Sequence, residues 1–166
     1  MSDVRTGGLG FQFYADAADV AKAAGAAQRL RRPLRVIGHL HSPEEFLVAE
    51  DAADGSVWVL AADHSAEWPL NVSRSALDAC LTAFGRYLDS GSKASGPAVY
   101  SADEMRERLE RFARGEVVSR APQKPPAPHR ARLKRLHREL KAADRSVFAR
   151  NSWWSGVLED AKNNLL

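Results

Sequence analysis

The apolar positions of this chain change their period partway along it. From Leu34 to Leu70 they come in short runs bounded by polar or turn residues, and from Ser73 onward they recur at intervals of three and four. Short runs rich in β-branched and aromatic residues fit pleated strands, whereas the three-four spacing fits one face of a helix. Leu34 to Gly38 predicts a strand, and Phe46 to Asp51 with Ser56 to Ala62 predicts a hairpin. Asp54-Gly55 lies between the two runs, and glycine accepts the positive φ that such a turn requires. A further extended piece is expected around Trp68 to Leu70. Ahead of these, the glycine-rich and aromatic start of the chain predicts irregular structure or a weak edge strand. The alanine-rich stretch from Asp16 to Leu30 predicts a helix that Pro33 stops.

Ser73 to Leu88 carries the clearest helical pattern. Leu77, Cys80, Leu81, Phe84 and Leu88 fall on one stripe, and Asn71 or Ser73 is placed to cap the first turn. Ser90 to Pro97 is a connector rich in serine and glycine. Ser101 and Glu104 spell a capping box, opening a helix with Met105, Leu109 and Phe112 on its apolar side and Gly115 at its end. Residues 121–128 form an extended proline-rich linker. Arg130 to Ala143 follows as a basic helix with Leu133, Leu136 and Leu140 inward, and Ser152 caps a last helix carrying Trp153, Trp154, Val157 and Leu158. Neighbours on a helix diverge by about 100°, so one of the two tryptophans is expected inside and the other at a margin. Strands first and helices later predict an α+β fold: one domain over residues 1–166, an antiparallel sheet with helices packed on one face, and a helical C-terminal third.

Composition narrows the functional classes. A lone cysteine, Cys80, excludes an intramolecular disulfide and a zinc cluster of several cysteines. The N-terminus has no basic stretch followed by an apolar core, and no window approaches the roughly 18 apolar residues of a membrane span. A soluble, cytoplasmic protein with no membrane partner is expected. The net charge of +3 conceals a segregation: between Val36 and Ser73 there are seven acids and no Lys or Arg, while between Ser119 and Lys141 eight cations stand against only Glu139. Such a split bears on partners rather than on fold.

Candidate chemistry is sparse. His39 and His41 would share a face if their segment were extended, with Glu44 or Glu45 completing a metal site, but a two-histidine spacing is a weak pattern and Ser42-Pro43 favours a polar loop. Cys80 sits on the buried stripe, where a thiol packs as a small apolar residue. Asn71-Val72-Ser73 matches a glycosylation acceptor, although helix capping is the better account without a secretion signal. No catalytic residue, metal or cofactor is expected. The basic helix, with Arg130, Arg132, Lys134, Arg135, Arg138 and Lys141, offers an alternative reading as a nucleic-acid-binding or regulatory module. No aromatic residue interleaves with those cations between Arg120 and Lys141, so base stacking is not indicated and nucleic acid is the less favoured partner. Trp58 and Trp68 lie within the acidic stretch, and an aromatic anchor ringed by carboxylates suits a basic protein partner.

The succession of apolar strand, Asp-Gly turn, VWVL strand, PLNVS cap and amphipathic helix ending in FGRYL resembles the SUKH superfamily of bacterial immunity proteins. It looks most like the fourth SUKH group of actinobacterial toxin loci, in which a strand similar to LRVIG precedes the hairpin and a segment similar to WWSGVLEDAKNNLL closes the chain. The resemblance covers roughly Pro33 to Leu88 and Arg132 to Leu166; the proline-rich linker and the basic helix resemble additions to it. It implies a non-catalytic protein that binds and neutralises a cognate polymorphic toxin, a nuclease or nucleic-acid deaminase encoded by a neighbouring gene. The family has no shared catalytic residues, so the expected toxin-facing residues come from the charge pattern: Glu44, Glu45, Glu50, Asp51, Asp54, Trp58, Asp63, Glu67 and Trp68.

Overall fold

A computed structural model describes residues 9–14, 33–63, 65–92, 101–116 and 127–166. The expected helix over Asp16 to Leu30 and most of the proline-rich linker lie outside them. Five strands, β1 (Phe11–Phe13), β2 (Leu34–Leu40), β3 (Phe46–Asp51), β4 (Val57–Ala61) and β5 (Glu67–Asn71), form an antiparallel sheet in sequence order. The helices are α1 (Arg74–Ser92), α2 (Ala102–Ala113), α3 (His129–Ala143) and α4 (Trp154–Lys162), with a 3-10 turn at Arg145–Phe148 between the last two. The fold is α+β with a helical C-terminal region, as the pattern predicts. The start of the chain supplies an edge strand, with β1 pairing along β2 from Phe11 opposite Leu40 to Phe13 opposite Gly38.

The hairpin forms where the two apolar runs place it, and Val48 faces Val59 across the ladder. Its turn is longer than two residues. Asp51 Oδ1 accepts from the Ala53 amide at 2.8 Å, Asp54 Oδ1 accepts from the Ser56 amide at 2.8 Å, and Gly55 adopts φ +75°. Two side-chain-closed turns in succession thus replace a tight reversal.

One face of the sheet supplies Val48, Val57, Val59 and Leu70 to the main core, which closes against Leu77, Cys80, Leu81 and Phe84 of α1, Leu136 and Leu140 of α3, Val147 and Trp154. The other face buries a smaller cluster of Val36, Leu47, Ala49 and Leu60. Strand alternation sorts the residues of β3 and β4 between the two. Ser73 caps α1, its Oγ accepting from the Ala76 amide at 3.2 Å. The helix runs four residues past Leu88, into the serine-glycine stretch. Gly91 there is a point of close approach: a Cβ would collide with the Arg132 guanidinium of α3. The glycine is used for helix packing and not for termination.

In α2 the capping box is complete, with Ser101 and Glu104 exchanging side-chain and backbone bonds. The backbone and side-chain hydrogen bonds from Ser101 hold the Glu104 carboxyl below its ordinary pKa. None of the residues of α2 is buried. The two tryptophans diverge as the helical geometry requires. Trp154 is fully buried, stacked on Phe84 with centroids 5.0 Å apart and on Phe11 at 5.8 Å, while Trp153 is half-buried.

Candidate protein-binding surface

An antiparallel meander puts the β2–β3 and β4–β5 loops at one end of the sheet and the β3–β4 loop at the other. The seven acids of the central stretch divide accordingly. Glu44, Glu45, Asp63 and Glu67 stand exposed at the first end. Its two loops are tied together by the Ala62 amide, which donates to Glu45 O at 2.9 Å. Each loop is also closed locally: the Glu44 amide donates to Ser42 Oγ at 3.2 Å, and the Ser65 amide donates to Asp63 Oδ1 at 2.9 Å. Glu44, Glu45 and Asp63 thus each sit beside a hydrogen-bonded loop backbone.

Behind them stands an aromatic triad. Phe46 opens β3, Trp68 lies in β5 and Trp153 precedes α4. Their rings meet edge to face, with centroids 6.0 Å apart for Phe46–Trp68, 5.0 Å for Phe46–Trp153 and 5.5 Å for Trp68–Trp153. The Trp153 amide donates to Pro69 O at 3.0 Å, fastening the C-terminal segment to the edge strand. All three side chains are half-buried. Rings fixed by one another and still partly open to solvent are the kind of anchor that interface energies concentrate on.

The remaining candidates lie elsewhere. Glu50, in the register pair opposite Arg35, forms an ion pair with it at 2.5 Å. Asp51 is buried at 8% exposure, with its carboxylate committed to the turn. Asp54 is exposed and holds the Ser56 amide. Trp58 packs with the smaller cluster on the opposite face from Trp68, its Nε1 donating to Ser56 Oγ at 2.8 Å. The structure thus gathers Glu44, Glu45, Asp63 and Glu67 at the end of the sheet that carries Trp68, with Glu67 opposite Leu60 on the other face from Trp68, and sets Glu50, Asp51, Asp54 and Trp58 apart from that end.

His39 and His41 do not share an extended face. The strand ends at Leu40, and His41 turns through φ +56° under Gly10, whose carbonyl accepts its amide at 2.8 Å. His39 instead lies against Tyr14 with ring centroids 5.5 Å apart. Among the described residues no three His, Cys, Asp or Glu side chains are grouped to hold a metal ion. No described helix is long and apolar enough to cross a membrane.

A second constellation, invisible to pattern reading, sits in the core. Asp144, which follows α3, accepts at Oδ2 from Asn71 Nδ2 and the Val72 amide, both at 2.9 Å, and at Oδ1 from the Ser146 amide and hydroxyl. Asn71 Oδ1 accepts from Trp154 Nε1 at 3.1 Å, and Asn71 Nδ2 also approaches Cys80 Sγ at 3.4 Å. Asn71 is therefore the link between β5, α1 and the C-terminal helices, and helix capping falls to Ser73 alone. Burial pushes the Cys80 thiol up to about 11, which the Asn71 hydrogen bond lowers and the Asp144 charge raises further. Cys80 should resist a thiol-titrating reagent at pH 8 in the folded protein and react fully once denaturant is added. Rapid modification of the native chain would show that α1 exposes this side chain.

Comparison with protein-family models, with curated proteins and with solved structures gives no match for this chain.

Proposed function

We propose that this is an immunity protein of the SUKH type, which binds a cognate polymorphic toxin inside the producing cell and occludes its active cleft without any bond-making of its own. The observation that carries the reading is the acidic, aromatic end of the sheet: Glu44, Glu45 and Asp63 on two linked loops and Glu67 at the start of β5, beside Phe46, Trp68 and Trp153. A toxin that acts on nucleic acid must present a basic cleft to its substrate. Four carboxylates at one end of the sheet would steer that cleft by long-range attraction, and the rings beside them would supply the desolvated anchor. The resemblance of the strand, cap and terminal motifs to the SUKH immunity proteins points the same way.

The test is co-expression with the product of the adjacent gene, followed by purification of the complex and measurement of its assembly rate. Removing the four charges together (Glu44→Gln, Glu45→Gln, Asp63→Asn and Glu67→Gln) should slow association about 10- to 100-fold at low salt, on the scale of steering effects. The melting midpoint should stay near that of the parent. Trp68→Ala should act mainly on dissociation. A neighbour without toxin activity, no complex at low salt, or an assembly rate indifferent to the four substitutions would remove the reading.

A further inference from the structure

The outward face of α3 differs from the other described helices in how its charges are partnered. Arg74 pairs with Asp78 on α1 at 3.3 Å, and Arg106 with Asp103 on α2 at 3.3 Å. Arg111 and Arg114 both reach Glu116, and Lys162 reaches Glu159 on α4 at 3.8 Å. The inner flank of α3 behaves alike. Arg135 and Arg86 share Glu139, at 2.7 and 3.6 Å, while the Arg132 guanidinium lies over the Tyr87 ring. That leaves Arg130, Lys134, Arg138 and Lys141, all exposed, with no ion pair among the described residues. At about 100° and 1.5 Å per residue, these four fall within an arc of about 80° and a length of about 16 Å. Like charges three and four residues apart repel and weaken a helix. The row is held against a local cost that a bound polyanion would offset.

The turn after α3 adds what the linear sequence hides. Phe148 is 41% exposed, and its ring meets the exposed His137 ring edge-on at 5.4 Å. His137 borders the row of cations, so the fold returns an aromatic face to a helix whose own sequence contains no Phe, Tyr or Trp. Cations in line with an exposed ring are the combination that holds single strands, charges following phosphates and the ring stacking under a base. A duplex would engage only the charges. An anionic membrane is a poorer fit, because Leu136 and Leu140, on the apolar side of α3, are spent in the core.

We propose that α3 and the 3-10 turn form a binding site for single-stranded nucleic acid, with Arg130, Lys134, Arg138 and Lys141 on phosphates and Phe148 stacked on a base. The site stands apart from the toxin-binding reading, and neither requires the other.

The test uses the full chain and fluorescence anisotropy with a labelled single strand of about 16 nucleotides, the upper end of single-domain site sizes, beside its duplex. Four phosphate contacts on a single strand give a salt slope near 3, so raising salt from about 50 to about 200 mM should weaken binding about 50-fold. Changing Arg130, Lys134, Arg138 and Lys141 to Gln should cost more than about tenfold at low salt, with an unaltered circular dichroism spectrum. The matching change of Arg106, Arg108 and Arg111 on α2 and Arg114 at its C-terminal cap should leave affinity as it was. Phe148→Ala should weaken the single strand about tenfold and spare the duplex. The proposal is overturned by no saturable binding at low salt, by equal losses from the two sets of Gln variants, or by a Phe148→Ala effect common to both forms of nucleic acid.

Discussion

Leu81→Asp should leave the chain unfolded or insoluble. Leu81 is 2% exposed on the inner stripe of α1, among Leu77, Cys80 and Phe84, and the main core closes around that stripe. Truncation to alanine should cost about 3 kcal/mol through lost transfer energy and a residual cavity. Aspartate loses the same packing and also places a carboxyl among the apolar side chains of the core. A buried unpaired carboxylate costs several kcal/mol more, and protonation relieves only part of this. The sum approaches the 5–15 kcal/mol that typically separates a folded domain from its unfolded ensemble. Soluble yield, far-ultraviolet circular dichroism and urea titration of the parent, Leu81→Ala and Leu81→Asp chains measure the series. The alanine variant should remain folded with a lowered midpoint. An aspartate variant with the parent's midpoint would mean that α1 packs on a different face.

The features legible in the sequence are those set by local periodicity. The α1 stripe, the hairpin runs, the capping box of α2 and the divergence of Trp153 from Trp154 each follow from residues a few positions apart. The stripe as read omits Tyr87, which is 4% exposed and lies three residues after Phe84; the local period could have included it, whereas its hydroxyl bond to Ala161 O at 3.0 Å could not be read locally. The four extra residues of α1 run through Gly91, where the Arg132 guanidinium of α3 comes close, a neighbour the local pattern cannot show. The acidic stretch is the instructive case. Residues 44–67 are contiguous in charge, but β3 and β4 cross the sheet between them, and six residues of strand separate the two ends by about 20 Å. A charge run folded through a hairpin becomes two patches. Whether a strand-borne acid faces solvent depends on turn chemistry, as Asp51 illustrates by being consumed in its own loop. Phe148 escapes for the opposite reason: only the turn that reverses the chain after Asp144 returns it to α3.

The Asn71–Asp144 pair, 73 residues apart, is a tertiary decision of the same kind, and it carries the second large prediction. Asp144 is 5% exposed and collects four donors. Burial alone would raise its carboxyl. The hydrogen bonds from the Ser146 side chain, the Val72 backbone, the Asn71 side chain and the Ser146 backbone together outweigh that and hold it below the ordinary value of 3.8. A carboxyl whose folded pKa is depressed stabilises the native state above its unfolded pKa and loses that contribution as pH falls through the folded one. Asp144→Ala strands the Asn71 amide and the Val72 N–H and should cost about 3 kcal/mol near neutrality. Asp144→Asn keeps the shape but turns a donor toward donors, and should cost about 2 kcal/mol. The distinguishing readout is the gap in unfolding free energy between the parent and Asp144→Asn, followed by denaturant titration across acid pH. It should stay level well above pH 3.8 and close progressively below it, as protonation removes the parent's advantage. A gap that persists unchanged to the lowest pH at which both chains remain folded would mean that the carboxylate's charge contributes nothing, and that core packing of Leu136, Leu140 and Trp154 with the remaining hydrogen bonds holds the C-terminal helices to the sheet.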